Sequence, residues 1–267
     1  MTTTRKLDVG IDGVNDVYDG PGGVLWEMLM GEQIHVGGEM ETEILAQKAG
    51  IEASSVVLDV CSAVGGPARQ LARTIGCRVV GLDATPRMHD EALRRTKEAG
   101  LEGKVTYRLG NALDMPFRAG SFDVVWGQDA WCYVTDKARL VSECARVVRP
   151  GGVVAFTDWL ETGPLSDELW TALNSFMVFP YLETLDGYAR LAEAAGLSVV
   201  ERQDLSADFA RHVQGYCEVL MNGRRAAIVA AYGQEMYGVV ERGLTLWRDA
   251  SAAGLVGRGR MVARKRA

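Results

Sequence analysis

The chain has 267 residues, enough for one large domain or a domain carrying an insertion. Its net charge is −6, and no basic block precedes the closing Arg-x-x-x-Arg-Lys-Arg tail, which argues against a nucleic-acid partner. No apolar run is long enough to cross a bilayer, and the opening Met-Thr-Thr-Thr-Arg-Lys lacks the apolar core of a signal peptide, so no membrane partner is expected.

Residues 1–17 are expected to be a poorly ordered lead-in or a cap over a site. Val24, Leu25, Met28 and Leu29 have helical spacing and predict a short amphipathic helix. Gly31, Gly37 and Gly38 interrupt regular structure around His35, and a second helix runs from Glu39 to Ala49. Val56, Val57 and Leu58 form a short apolar run, as a strand covered on both faces does, and Asp59 ends it. Gly65 and Gly66 allow a sharp turn, and Pro67 suits the first turn of a helix through Arg73.

Further strands are predicted at Arg78–Asp83, Val105–Leu109, 121–128, Val153–Asp158, Leu197–Leu205 and Gly259–Arg264. Helices are predicted at 86–99 (burying Met88, Ala92 and Thr96), 136–148, 186–195, 208–222 and 224–250, with Arg149-Pro-Gly-Gly152 as a turn. Strands alternating with helices indicate an α/β doubly wound, mostly parallel sheet. Residues 159–185, rich in Trp, Phe, Tyr and Met, are expected as a lid insertion. With no repeat or linker in view, the expectation is a single domain over 1–267, with residues 1–50 as its N-terminal helical cap.

The turn after Asp59 lacks both the Gly-x-Gly-x-x-Gly of a dinucleotide site and the Gly-x-x-x-x-Gly-Lys-Ser/Thr of a phosphate loop. It has instead an acid followed six residues later by Gly65. A second acid, Asp83, lies 83 − 59 = 24 residues beyond the first. A ribose-binding carboxylate belongs near that spacing in a nucleotide-binding βαβ unit, although an N-cap before Thr85-Pro86 is an alternative use.

The acid-and-glycine turn resembles the first motif of the class I methyltransferases that use S-adenosylmethionine (SAM). The usual form is Asp/Glu-x-Gly-x-Gly-x-Gly, and Cys61 and Ala63 stand here where its first two glycines belong. A left-handed Cys61 would carry roughly 1–2 kcal/mol of strain. Gly110-Asn-Ala-Leu-Asp-Met-Pro-Phe117 resembles the family's adenine-contacting stretch, with Asn111 replacing the usual Asp; a turn role for Asn111 is the other reading. The resemblance implies a Rossmann-like seven-stranded sheet, SAM as cofactor and S-adenosylhomocysteine as product. It implies cofactor contacts from Asp59, Cys61, Gly65, Asp83, Ala84, Asn111, Ala112 and Gln128.

Trp26-x-x-x-x-Gly-Glu-x-Ile-His-Val-Gly, Gln128-Asp-Ala and Leu185-Asp-Gly-Tyr-Ala-x-x-Ala-x-x-Ala-Gly196 resemble the sarcosine/dimethylglycine and phosphoethanolamine N-methyltransferase branch. Within that resemblance Tyr18 matches the tyrosine of a catalytic Tyr-His pair, and Tyr133 takes the place of the histidine. Val178, Pro180 and Ala252-Ala-Gly254 occupy the positions of a phosphate clamp, so phosphoethanolamine is rejected as substrate. Candidate catalytic residues are Tyr18, Tyr133 and His35, the last with a structural role as its alternative. Candidate substrate contacts are Trp26, Trp131, Trp159, Phe179 and Tyr181, about half of them expected to be plain core. Aromatic faces suit an amine becoming a quaternary ammonium, and bury a flat natural product equally well.

Methyl transfer to a small-molecule amine is therefore the leading expectation. C- or O-methylation of an aromatic or terpenoid-like compound comes second, and a non-catalytic SAM-binding protein third. Three histidines far apart in sequence suggest no metal site, with His89 and His212 structural or exposed. Five scattered cysteines without a Cys-x-x-Cys pair favour a reduced, cytoplasmic setting. Nothing in the sequence sets an oligomeric state.

Overall fold

The computed structural model describes residues 5–266. Seven strands form one sheet: β1 (Val56–Val60), β2 (Arg78–Asp83), β3 (Val105–Leu109), β4 (Phe122–Gln128), β5 (Val148–Glu161), β6 (Leu197–Asp204) and β7 (Val256–Lys265). Their order is β3-β2-β1-β4-β5-β7-β6, with β7 antiparallel to both neighbours and the rest parallel. This is the Rossmann-like, doubly wound sheet expected.

The central strands are mostly apolar because both faces are covered, with polar residues near their ends. Val57, Val79, Val124 and Ala155 meet α3 (Gly38–Ala49), α4 (Gly66–Thr74) and α5 (Pro86–Glu98) on one face. Leu58, Leu82, Val125 and Val154 meet α6 (Lys137–Val147) and α8 (Leu185–Ala194) on the other. A third apolar cluster stands beside the sheet. It joins α2 (Pro21–Met30), α7 (Asp167–Met177), α9 (Ser206–Glu218) and α10 (Arg225–Ala252) around Trp159, Phe179 and Trp247.

Four boundaries differ from expectation. Residues 11–19 form a helix, α1 (Ile11–Asp19), where a poorly ordered lead-in was one expectation; residues 1–4 lie outside the described residues. The segment leading into α1 is tied down, with the Leu7 N–H donating to the Pro180 carbonyl at 2.8 Å and Lys6 Nζ to the Thr135 carbonyl at 3.2 Å. The expected turn at 149–152 is a bulge inside β5. Phe122 pairs with Val148 and Val124 with Val153, so the extra residues loop out, with Gly151 at φ 73°. Trp159 to Glu161 continue β5, so the lid proper begins after the strand, and β7 starts at Val256.

A buried ionic network holds β7 to the rest. Arg258 Nε donates to both Asp129 oxygens at 2.8 and 2.9 Å, and its Nη1 reaches Glu41 Oε2 at 3.2 Å. Arg260 Nη2 meets Glu41 Oε1 at 2.7 Å and Oε2 at 2.8 Å. All four side chains are buried, and two acids balance two guanidinium groups. Removing one member of such a network leaves an uncompensated buried charge. Glu41→Leu is therefore expected to lower stability by roughly 3–5 kcal/mol, read as a shift in the urea unfolding midpoint.

Candidate functional site

The carboxyl ends of β1, β2, β3 and β4 open onto a cavity of about 220 Å³. Ligands of open α/β sheets bind at such strand ends. Asp59 from β1, Asp83 and Ala84 from the end of β2, Asn111 and Ala112 after β3, and Gln128 from β4 all line it. So do Cys61 and Ala63 of the glycine turn, and Tyr18 of α1. Gly65 stays outside the lining. It is the N-cap of α4 at φ 74°, and a Cβ there would lie 2.1 Å from the Tyr107 hydroxyl, so only glycine fits.

Asp83 accepts the Ala63 N–H at 2.8 Å on one oxygen and the Thr85 N–H at 2.9 Å on the other. The acid thus fixes both turns and still faces the cavity; each oxygen keeps a lone pair for a further donor. Asp59 is 3 % exposed, and its Oδ2 has no partner in the protein. Burial, helped by the nearby Asp83, pushes Asp59 up to about 7. The Asn111 Oδ1 accepts the Leu113 N–H at 2.8 Å, which commits the amide oxygen to the turn and leaves the NH2 group as the available donor. Gln128 Oε1 accepts from Thr42, whereas its Nε2 is buried without a partner.

Asp59 Oδ2, Ser62 Oγ and Gln128 Nε2 are thus three orphaned polar atoms on residues lining one cavity. Buried polar groups are normally satisfied, so such a cluster calls for a ligand. The charged residues in the lining are Asp59, Asp83 and Asp129, all acidic. Acceptors for hydroxyls, two amide donors and two carboxyl groups without a cationic partner, Asp59 and Asp83, fit an adenosyl sulfonium.

Beside this cavity lies a small chamber of about 20 Å³, lined by Trp26, Met30, His35, Trp159, Met177 and Phe179. Tyr18, Ile34, Asp129 and Tyr133 border both spaces. The Tyr18 hydroxyl donates to the Tyr133 hydroxyl at 2.9 Å, with the rings edge to face, so two phenols partition the two volumes. Burial raises both phenols above the usual tyrosine range, and they stay protonated. His35 is buried between Thr42 Oγ1 at 3.0 Å and the Val36 carbonyl at 3.1 Å. Burial pushes it down to about 4, leaving a neutral ring near pH 7.

Two predicted substrate contacts lie elsewhere. Trp131 is fully buried and stacks on Phe156 at 4.2 Å, lining neither space. Tyr181 also lines neither and packs beneath Lys137 Nζ, 3.7 Å from its ring centroid. Ser62, Ile34, Met30 and Met177 were not anticipated. Their residue types carry no chemical signal, and the two methionines share the spacing of ordinary core.

Backbone strain marks the same place. Among the described residues the non-glycine positions with positive φ are Ile34 (48°), Cys61 (62°), Ala63 (45°), Asp129 (54°) and Val178 (58°). The first four line the spaces, and Val178 separates the chamber residues Met177 and Phe179. Strain of this kind persists where function over-determines the backbone.

Fold and site together define a nucleotide-type cofactor enzyme of the SAM-dependent class. The family model described as a methyltransferase domain matches residues 58–156. A protein of Streptomyces halstedii, methyltransferase GfsG, is 32% identical over 210 residues, covering 72% of this chain and 75% of that one. The glycine/sarcosine/dimethylglycine N-methyltransferase of Actinopolyspora halophila is 30% identical over 244 residues; this chain spans 87% of its own length but 41% of that protein's. The structure of Haemonchus contortus phosphoethanolamine N-methyltransferase 2 in complex with S-adenosyl-L-methionine superposes with a TM-score of 0.84 at 25% identity, over 95% of this chain and 60% of that one. The chain belongs to the methyltransferase family, and its methyl donor is SAM.

Two outcomes follow from the turn. Replacing a left-handed Cys61 by glycine removes roughly 1–2 kcal/mol of strain and restores roughly 0.5–1 kcal/mol of unfolded-state entropy. Cys61→Gly is thus expected to raise stability by up to about 1 kcal/mol in chemical denaturation. Asp59 titrates near 4 in an unfolded chain and about 7 in the native one. Between those values the native state holds a proton that the unfolded state has lost, so its contribution to stability is lost as pH rises through that window. Unfolding midpoints of the cofactor-free protein across pH 4–8 are expected to show this slope, and Asp59→Asn to flatten it.

Proposed function

We propose that the protein transfers a methyl group from SAM to an amine nitrogen of a small molecule held in the aromatic chamber. The observation that carries this reading is the Tyr18–Tyr133 partition. It sets a cofactor-sized, acid-lined cavity directly against five aromatic rings: Tyr18, Trp26, Tyr133, Trp159 and Phe179. Bound SAM supplies a methyl carbon activated by the sulfonium charge.

Asp83 would hold the ribose hydroxyls, and Asn111 Nδ2 would donate to an adenine ring nitrogen beside Ala84 and Ala112. Asp59, Cys61 and Gln128 Nε2 would face the methionine end, with Gly65 shaping the turn. Attack by the nitrogen lone pair would form the N–C bond as the C–S bond breaks, its electron pair going to sulfur. A tertiary amine bound as its free base, its ammonium proton already lost to solvent, has no proton to give up, which suits a site whose two phenols are protonated and whose one imidazole is neutral. Tyr18 and Tyr133 then orient the nitrogen, and alignment within about 3–3.5 Å supplies most of the acceleration. His35 acts through Thr42 on Gln128, so its role is positioning.

The chamber has room for about one water as it stands, so a larger acceptor would need its walls to shift. Residues 162–185 would serve as lid and 5–50 as cap of a single domain. The five free cysteines agree with a reducing, cytoplasmic compartment. A second reading, C- or O-methylation of an apolar natural product, is favoured by one observation: the Asp129 charge is already balanced by Arg258, so it offers no unpaired carboxylate to an ammonium.

Radiolabelled SAM is expected to transfer label to simple tertiary amines; transfer to none of a panel that includes secondary amines would overturn the amine reading. Asp83→Ala is expected to weaken S-adenosylhomocysteine binding at least tenfold by calorimetry. Unchanged affinity would remove Asp83 from the ribose site.

A further inference from the structure

The amine reading leaves open what else the acceptor carries. We propose that the chamber accepts amines whose substituents are hydrocarbon, and rejects those bearing a carboxylate or phosphate. This rests on the amine reading for its chemistry but on the chamber's charges for its selectivity.

Two ionisable groups other than the phenols line the chamber, Asp129 and His35. Asp129 accepts the Val36 N–H at 2.8 Å and Arg258 Nε on both oxygens. Arg258 is itself fully buried, stands outside the lining, and also donates from Nη1 to Glu41 and from Nη2 to Thr157 Oγ1. No charge in this group is left to meet an anion. His35 is neutral, with both nitrogens facing protein partners.

Cations near the chamber are engaged outside its lining, Arg87 among them, which donates to the Tyr18 carbonyl at 2.6 Å. Lys137 Nζ donates to the carbonyls of Cys132, Val134 and Tyr181 and sits on the Tyr181 face. Arg5 is engaged with Asp167 and the Leu165 carbonyl, and Lys6 with the Thr135 carbonyl. A carboxylate entering the chamber would lose water, gain no cation, and lie beside Asp129. Burying an unpaired charge is among the costliest events in a protein interior. The rings and thioethers reward the opposite cargo. Aromatic faces attract an ammonium by roughly 0.5–2 kcal/mol each, and Met30 and Met177 pack against hydrocarbon.

The isosteric pair N,N-dimethylisobutylamine and N,N-dimethylglycine isolates the carboxylate, and both carry the same dimethylamino nitrogen. With SAM and the full chain, kcat/KM is expected to be at least 100-fold higher for the former. Equal rates, or a preference for dimethylglycine, would overturn this proposal while leaving the amine reading intact. Calorimetry of the S-adenosylhomocysteine complex decides the matter even where neither compound turns over. Trimethylisobutylammonium should bind at least 100-fold more tightly than betaine, its equal in size. If that holds without turnover, the amine reading falls and the selectivity stands; if betaine binds as well, or neither binds, the selectivity falls. Met177→Arg, which installs a cation in the lining, is expected to reverse the preference.

Discussion

A fully buried guanidinium governs the architecture around the site. Arg258 enters on β7, the antiparallel strand wedged between β5 and β6, and is the cross-strand partner of Trp159. Its desolvation is tolerable only because Asp129 arrives from the β4 exit and Glu41 from α3. Bringing them together fixes three things at once: the left-handed turn at Asp129, the position of the Val36 N–H and hence of the His35 loop, and the register of β7 beside the chamber. Such networks add little net stability over apolar packing. Here the network connects the wall of the acceptor chamber to the sheet.

The parallel half of the sheet was legible because its signals are local. β2 and β3 are apolar stretches with clear breaks at both ends, and their bounds match expectation. The Asp59-to-Gly65 turn and Asp83 were equally plain, since an acid closing a buried strand has few structural uses. By contrast, the start of β7 reads Val256-Gly-Arg-Gly-Arg, which looks like a loop. Its burial depends on Glu41, 217 residues away from Arg258, and no local pattern carries that information. The helix α1 escaped notice for a related reason: it buries only Val14, and the rest of its inward face is a cavity lining.

Aromatic residues divided along lines the sequence could not draw. Trp131 lies flat on Phe156 in a space that Gly127 keeps clear, where a Cβ would stand 2.2 Å from the indole nitrogen. Trp159, by its place near the end of β5, emerges beside Phe179 and Trp247 at the chamber. Residue type announced an aromatic pocket; which rings face it follows from strand parity and from one glycine. The strained positions were half visible. Cys61 and Ala63 stood out against a glycine pattern, whereas Ile34 and Val178, β-branched residues in left-handed geometry, give no sign until the backbone is traced.

The leading segment is tied across the site. Leu7 hangs on Pro180, next to Phe179, while Lys6 hangs on Thr135 at the rim of the cofactor cavity. The same short strap continues into Ile11, which lines the cofactor cavity, and Tyr18, which borders both spaces. One stretch of backbone therefore walls both compartments, and a change in its anchorage reaches them together.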